Sequence, residues 1–158
     1  MRNQITLEFV SQRKSSDVEQ NTESCFGRKL EVSVIFTSPA ETLAALKTAG
    51  SLADQLGDRV RLIGLQVVPF AYALNQPPVS VDFTEKRLFK LACEAALDSQ
   101  IIVQPCVCRD KVPALLKLLE PNSLVVIGAK KRWWPTAESR LAKTLRAQGH
   151  QVILMEFK

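Results

Sequence analysis

From Leu30 onward, short continuous apolar runs alternate with longer segments whose apolar residues recur every three to four positions. "LEVSVIF", "RVRLIGLQVV", "QIIVQPCVC", "SLVVIGA" and "QVILMEF" are rich in β-branched residues and predict five strands. Between the first two, Ser38, Pro39 and Glu41 give the start signals of a helix: an N-cap, a proline at the first position and a capping box. Leu43, Leu46, Ala49, Ala53 and Leu56 then follow at helical spacing. A second helix is expected from about Asp82, carrying Leu88, Leu91, Ala92 and Ala95. A third follows Asp110 through "KVPALLKLLE", and a fourth covers "TAESRLAKTLRAQG". Pro105 has no N–H to donate, which places the third strand at an edge or a bulge.

Strands separated by helices require crossover connections, so the sheet should be parallel with helices on both faces. "LVVIG" and "QVILM" agree, because apolar runs without alternation suit strands buried on both sides. The expected fold is a doubly wound α/β sandwich with a five-stranded parallel sheet. In such a sheet the ligand crevice lies at the carboxyl ends of the strands, where the strand order reverses. Should the first and fourth strands be neighbours there, Thr37, Ser38 and residues 128–132 face one crevice.

Residues 1–28 differ from this pattern. "QITLEFV" has the alternation of one short strand, but "SQRKSSDVEQNTESCFG" is polar and without period, so the segment reads as a polar leader or flexible extension contributing little to stability. The folded domain is expected over residues 29–158.

The chain's 158 residues and 46% hydrophobic content suit one ordinary domain. No stretch reaches the roughly 18 apolar residues of a membrane span, and the start lacks a secretory apolar core, which points to a cytoplasmic protein. Cys25, Cys93, Cys106 and Cys108 have neither zinc-site spacing nor scaffold density, so reduced thiols and no metal are expected. Cys106 and Cys108 share one face of a strand, as small core residues or, alternatively, as a redox or metal pair. The single histidine, His150, falls at the turn into the last strand, where a capping or surface role is expected. No nucleophile elbow, phosphate-loop signature or paired carboxylates occur, so no catalytic residues and no enzymatic activity are expected.

Charge is telling by position. Residues 128–158 hold seven basic side chains (Lys130, Lys131, Arg132, Arg140, Lys143, Arg146, Lys158) against Glu138 and Glu156, an excess equal to the whole formal charge of +5. The cations after Gly128 either attract a phosphate or line a solvated loop. Trp133 and Trp134 follow directly. One ring is expected to pack under the last helix, the other to stay partly exposed as an anchor for a partner, with Arg140 nearby.

The order of elements, "LQVVP" closing the second strand, and "NSLVVIGAKKR" before the last helix resemble the universal stress protein family over about residues 29–158. "WWPTAESRLAKTLRAQGHQVI" also resembles the stress-protein-like domains of some potassium-sensing histidine kinases. The resemblance implies strand order 3-2-1-4-5 and homodimers made through the last strand, here with Val152, Leu154 and Met155. Nucleotide-binding members carry G-x2-G-x9-G-[ST] after the fourth strand. Laid onto this chain, the first glycine is Gly128, while the second and third positions hold Lys131 and Leu141. The aspartate those members carry after the first strand is replaced by Thr37 and Ser38. A retained nucleotide site would use Thr37, Ser38, Val68, Gly128, Ala129, Lys130, Lys131 and Arg132, with ATP or another anionic nucleotide as ligand. The favoured expectation is a non-catalytic stress-protein-like module without a cofactor, its nucleotide site degenerate, that dimerises and binds a protein partner. Nucleic acid is the least favoured partner, because the basic tail shows no interleaved aromatic platform in sequence.

Overall fold

The computed structural model describes residues 5–7, 10, 11, 31–56 and 59–158. Five parallel strands, β3 (Glu31–Ile35), β4 (Arg59–Val67), β5 (Ile101–Cys108), β6 (Leu124–Lys130) and β7 (Gln151–Phe157), lie in the order β5-β4-β3-β6-β7. This is the expected 3-2-1-4-5 arrangement. Two short strands, β1 (Ile5–Leu7) and β2 (Val10–Ser11), extend it by pairing in parallel with β5.

Helices α1 (Pro39–Leu56) and α2 (Val81–Ala95) cover one face, and α3 (Lys111–Leu118) and α4 (Ala137–Ala147) the other. Alternate residues of each central strand feed the two cores. Val32, Val34 and Val126 meet Leu46, Ala49 and Leu88, while Ile35, Val125 and Ile127 meet Leu115, Ala142 and Leu145. Burial on both faces explains why the strands read as unbroken apolar runs. At the amino ends of β3 and β4, Arg61 grips both carboxylate oxygens of Glu31 at 2.6 and 2.8 Å and donates to the Leu118 carbonyl at 3.2 Å. Among the described residues, no helix is long and apolar enough to cross a membrane.

The caps fall close to their sequence signals. Ser80, Asp110 and Thr136 each accept a backbone N–H at the start of α2, α3 and α4. At α1 the expected link between Ser38 and Glu41 is replaced by one between the residues flanking them: the Thr37 N–H donates to Thr42 Oγ1 at 3.1 Å, and Glu41 Oε2 has no hydrogen-bond partner among the described residues.

The leader departs most from expectation. Ile5 packs against the α1–α2 core, and β1 and β2 keep one register along β5, from Ile5 opposite Ile101 to Ser11 opposite Val107. Residues 8 and 9, between the two, lie outside the described residues. Val60 donates to the Gln100 carbonyl and Val68 to the Cys108 carbonyl, so even-numbered residues of β5 face β4 and odd-numbered ones face outward. The donorless nitrogen of Pro105 therefore lies on the outer side and costs the β4–β5 ladder no bond. The rest of the leader, Cys25 included, lies outside the described residues.

Cys106 and Cys108 are buried with Ala114 as small core residues. Burial, and secondarily the neighbouring Cys108, pushes the Cys106 thiol up to about 11, which keeps it protonated and unreactive near neutral pH. Of the two roles expected for His150, capping or surface, it takes the capping one and is buried. Its Nδ1 lies 3.0 Å from Ser123 Oγ, and its N–H donates to the Leu145 carbonyl, tying the end of α4 to the starts of β6 and β7.

Removing residues 1–11 uncovers the outer edge of β5 and is expected to cost on the order of 1–2 kcal/mol, roughly 2–8 °C in melting temperature. Thermal denaturation of the shortened chain checks this, and an unchanged transition would show that β1 and β2 add nothing to the sheet.

Candidate functional site

The chain runs from β3 outward to β5 and then returns to the other side of β3, so the order reverses between β3 and β6. A cavity of about 420 Å³ opens there, at the carboxyl ends of both strands. Thr37 and Ser38 form one wall, and Gly128, Ala129 and Lys130 another. Arg132, Trp134 and the first turn of α4, from Thr136 to Glu138, close the third side.

Gly128 has a packing reason to be glycine. A Cβ there would collide with the Glu41 carbonyl oxygen and approach its carbon to 2.6 Å, so the first turn of α1 lies directly on β6. The Thr37 hydroxyl donates to the Gly128 carbonyl at 2.8 Å, linking the two strand ends across the switch. Glu41 also reaches the cavity, with its buried Oε2 unpartnered among the described residues.

The second glycine position of the nucleotide pattern is differently engaged. The Lys131 N–H donates to the Phe157 carbonyl at 2.7 Å, continuing the pairing of β6 with β7. It is thus turned toward the sheet edge, and Lys131 does not line the cavity. The third position, Leu141, is a full turn inside α4, where it packs against the α3–α4 core. Only residues 131–136 separate β6 from α4, so the loop is about a turn shorter than the nucleotide-binding spacing requires.

Of the residues expected at a nucleotide site, Thr37, Ser38, Gly128, Ala129, Lys130 and Arg132 meet at this cavity. Val68 does not: it is buried at the end of β4, its N–H bonded to the Cys108 carbonyl and its own carbonyl accepting from Arg109 at 3.1 Å. Arg140 lines a neighbouring cavity of about 280 Å³ between α3 and α4. Neither tryptophan packs under α4 as expected for one of them. Trp133 is 93% exposed and Trp134 73%, because the short loop turns from Lys130 to Thr136 without crossing the core. Sequence reasoning placed Glu41 in a capping role and so missed it at the cavity. Its position in the first turn of the helix that follows the switch strand was the available signal.

No protein-family model matches the sequence, and no curated protein matches it. Among solved structures, the chain is similar to a universal stress protein crystallised in complex with cAMP, at 18% identity and a TM-score of 0.51, over 82% of this chain and 98% of that one. It is also similar to the universal stress protein from Archaeoglobus fulgidus, at 12% identity and a TM-score of 0.52, over 79% and 92% of the two chains. The fold is that of universal stress proteins, as the sequence resemblance implied.

If Gly128 serves helix packing, Gly128→Ala should destabilise the chain by about 1–3 kcal/mol with no ligand present. Chemical denaturation measures this. Unchanged stability would assign the glycine to ligand binding instead.

Proposed function

We propose that the chain is a non-catalytic universal stress protein-like module of the cytoplasm. It forms a homodimer through β7 and acts by binding partners at the carboxyl rim of its sheet, its nucleotide site reduced. The observation that carries this reading is the Lys131 N–H bonded to Phe157. A phosphate cradle needs backbone donors free to converge on the anion, and here the donor at the second glycine position is held in the sheet. Exposed Trp133 and Trp134 beside Lys130 and Arg132 supply the anchor residues of a binding surface.

The dimer reading rests on the edge position of β7. Gln151 donates to Ser123 and Phe157 accepts from Lys131, so the odd-numbered residues of β7 face β6 and the even-numbered ones point outward. Arg146 covers the outward Val152 carbonyl at 2.9 Å, while the polar groups of Leu154 and Glu156 face away from β6. Both side-chain faces of the strand are partly buried within the chain. Val152 and Leu154 pack on the α3–α4 core and Ile153 and Met155 on the α1–α2 core. A symmetric partner strand satisfies the exposed edge and covers what remains of these side chains.

A second reading is favoured by the cavity itself. Lys130, Arg132 and the start of α4 around a 420 Å³ space suit ATP or another anionic nucleotide held by side chains. One structural neighbour was crystallised with cAMP.

Equilibrium binding of labelled ATP, with and without Mg²⁺, separates the two. The favoured reading predicts a Kd weaker than about 100 μM, and low-micromolar affinity would establish the second. For the dimer, light scattering should report two chains at about 100 μM protein. Leu154→Pro removes an outward N–H and leaves the donors to β6 in place, so it should give a folded monomer. A native chain that is monomeric at that concentration would rule the dimer out.

A further inference from the structure

Three cavities open side by side along the carboxyl ends of the strands. The one at the switch shares Thr37 and Glu138 with the second, of about 280 Å³, which shares Phe36 and Leu65 with a third of about 260 Å³ beneath the start of α2. Together they make one trench across the ends of β6, β3 and β4, neighbouring strands spaced about 4.8 Å apart.

Each compartment combines cations with an aromatic ring. In the third, the Arg87 guanidinium lies 4.8 Å from the Phe36 ring centroid, and Phe83 forms part of the wall. In the second, Lys111 and Arg140 share Phe36. In the first, Lys130 and Arg132 flank Trp134. Five cations thus face two carboxylates, Glu41 and Glu138. The outer rings are open to solvent, Phe83 by 59% and Trp134 by 73%. Beyond the third compartment the pattern repeats once more: Arg109, anchored on the Val68 and Pro69 carbonyls, lies 5.1 Å from the ring centroid of Phe70, itself 88% exposed. Exposed rings of this size in a row mark an interaction surface.

We propose that this trench binds single-stranded RNA. The proposal rests on the reading of the rim as a partner-binding face and adds the class of partner. A single strand presents a phosphate and an unpaired base at each step, so its chemistry repeats as that of the trench does. Cations follow the backbone while ring faces and guanidinium planes stack on the bases. One mononucleotide occupies one compartment and leaves the other pairs unused. An acidic polypeptide matches the cations but gives the exposed rings no repeating partner, and a duplex hides its base faces. Glu41 supplies the preference for RNA over DNA: it lines the first compartment, its buried Oε2 has no partner among the described residues, and a 2′-hydroxyl reaching its carboxylate donates the missing hydrogen bond. The platform is invisible in sequence because Phe36, Phe83 and Trp134 are brought together only by the parallel sheet.

The test is fluorescence anisotropy of the full chain with a labelled mixed-sequence RNA of about ten nucleotides at about 50 mM salt. Saturable binding is expected, with a slope of log K against log salt of about −3.5 for five phosphate contacts. Phe83→Ala and Trp134→Ala, both at exposed positions, should each weaken binding roughly 5- to 150-fold with melting temperatures unchanged. Glu41→Ala should bring the RNA affinity down to that for DNA of the same sequence. No saturable binding up to about 100 μM protein would overturn the proposal. So would poly-glutamate, duplex RNA or single-stranded DNA binding the unaltered chain as tightly as the single-stranded RNA. ATP titrated in parallel separates the two readings: weak ATP binding without RNA binding defeats this proposal alone, and tight ATP binding without RNA binding defeats both.

Discussion

The first turn of α1 sits so close to β6 that only glycine fits at residue 128 beneath the Glu41 carbonyl. That contact seats the helix on the sheet at the switch point and brings the ends of β3 and β6 within reach of the Thr37–Gly128 hydrogen bond. It also sets one wall of the cavity, since Glu41, Thr37 and Gly128 all line it. The nucleotide motif that the sequence resembles would put a glycine here for the close approach of a phosphate. Here the position is accounted for by packing alone, and the adjoining backbone donor at Lys131 belongs to the β6–β7 edge. Chemistry at the rim therefore falls to side chains, to the cations and rings that leave the strand ends.

The two ends of the sheet are built differently as a result. At the amino end, Glu31 with Arg61 and Ser123 with His150 are partnered and largely buried, and they tie strands and helices together. At the carboxyl end, Arg87 stands over the half-buried Phe36, Arg109 over the exposed Phe70 and Arg132 beside the exposed Trp134, and a carboxylate oxygen of Glu41 is left unpartnered among the described residues. Satisfied polar groups stabilise, whereas exposed rings and an orphan acceptor have a cost that a ligand can relieve. The asymmetry separates the scaffold from the binding face.

Much of the fold was legible because two-sided burial writes itself into sequence. "LVVIG" and "QVILM" mark strands packed on both faces, the first central and the second at the sheet's edge, and Asp110 and Thr136 mark helix starts by side-chain chemistry. The addition of β1 and β2 was harder to read, since edge pairing is made by backbone groups that leave little side-chain signature. Loop length was misjudged for a related reason. A fixed motif spacing placed Leu141 in a phosphate loop, although Leu141, Ala142 and Leu145 already carried the helical period of α4. The exposure of both tryptophans, the burial of His150 and the trench itself depend on which distant residues the sheet brings together. No local pattern records that.

The central claim is that ligand contacts at this rim come from side chains and not from a backbone cradle after Gly128. Titrating the isotopically labelled chain with pyrophosphate and following amide and arginine side-chain resonances tests it directly. The account predicts that the Arg132 side-chain Nε–H signal moves while the amides of Ala129, Lys130 and Lys131 stay in place. Saturable shifts centred on those three amides would contradict it.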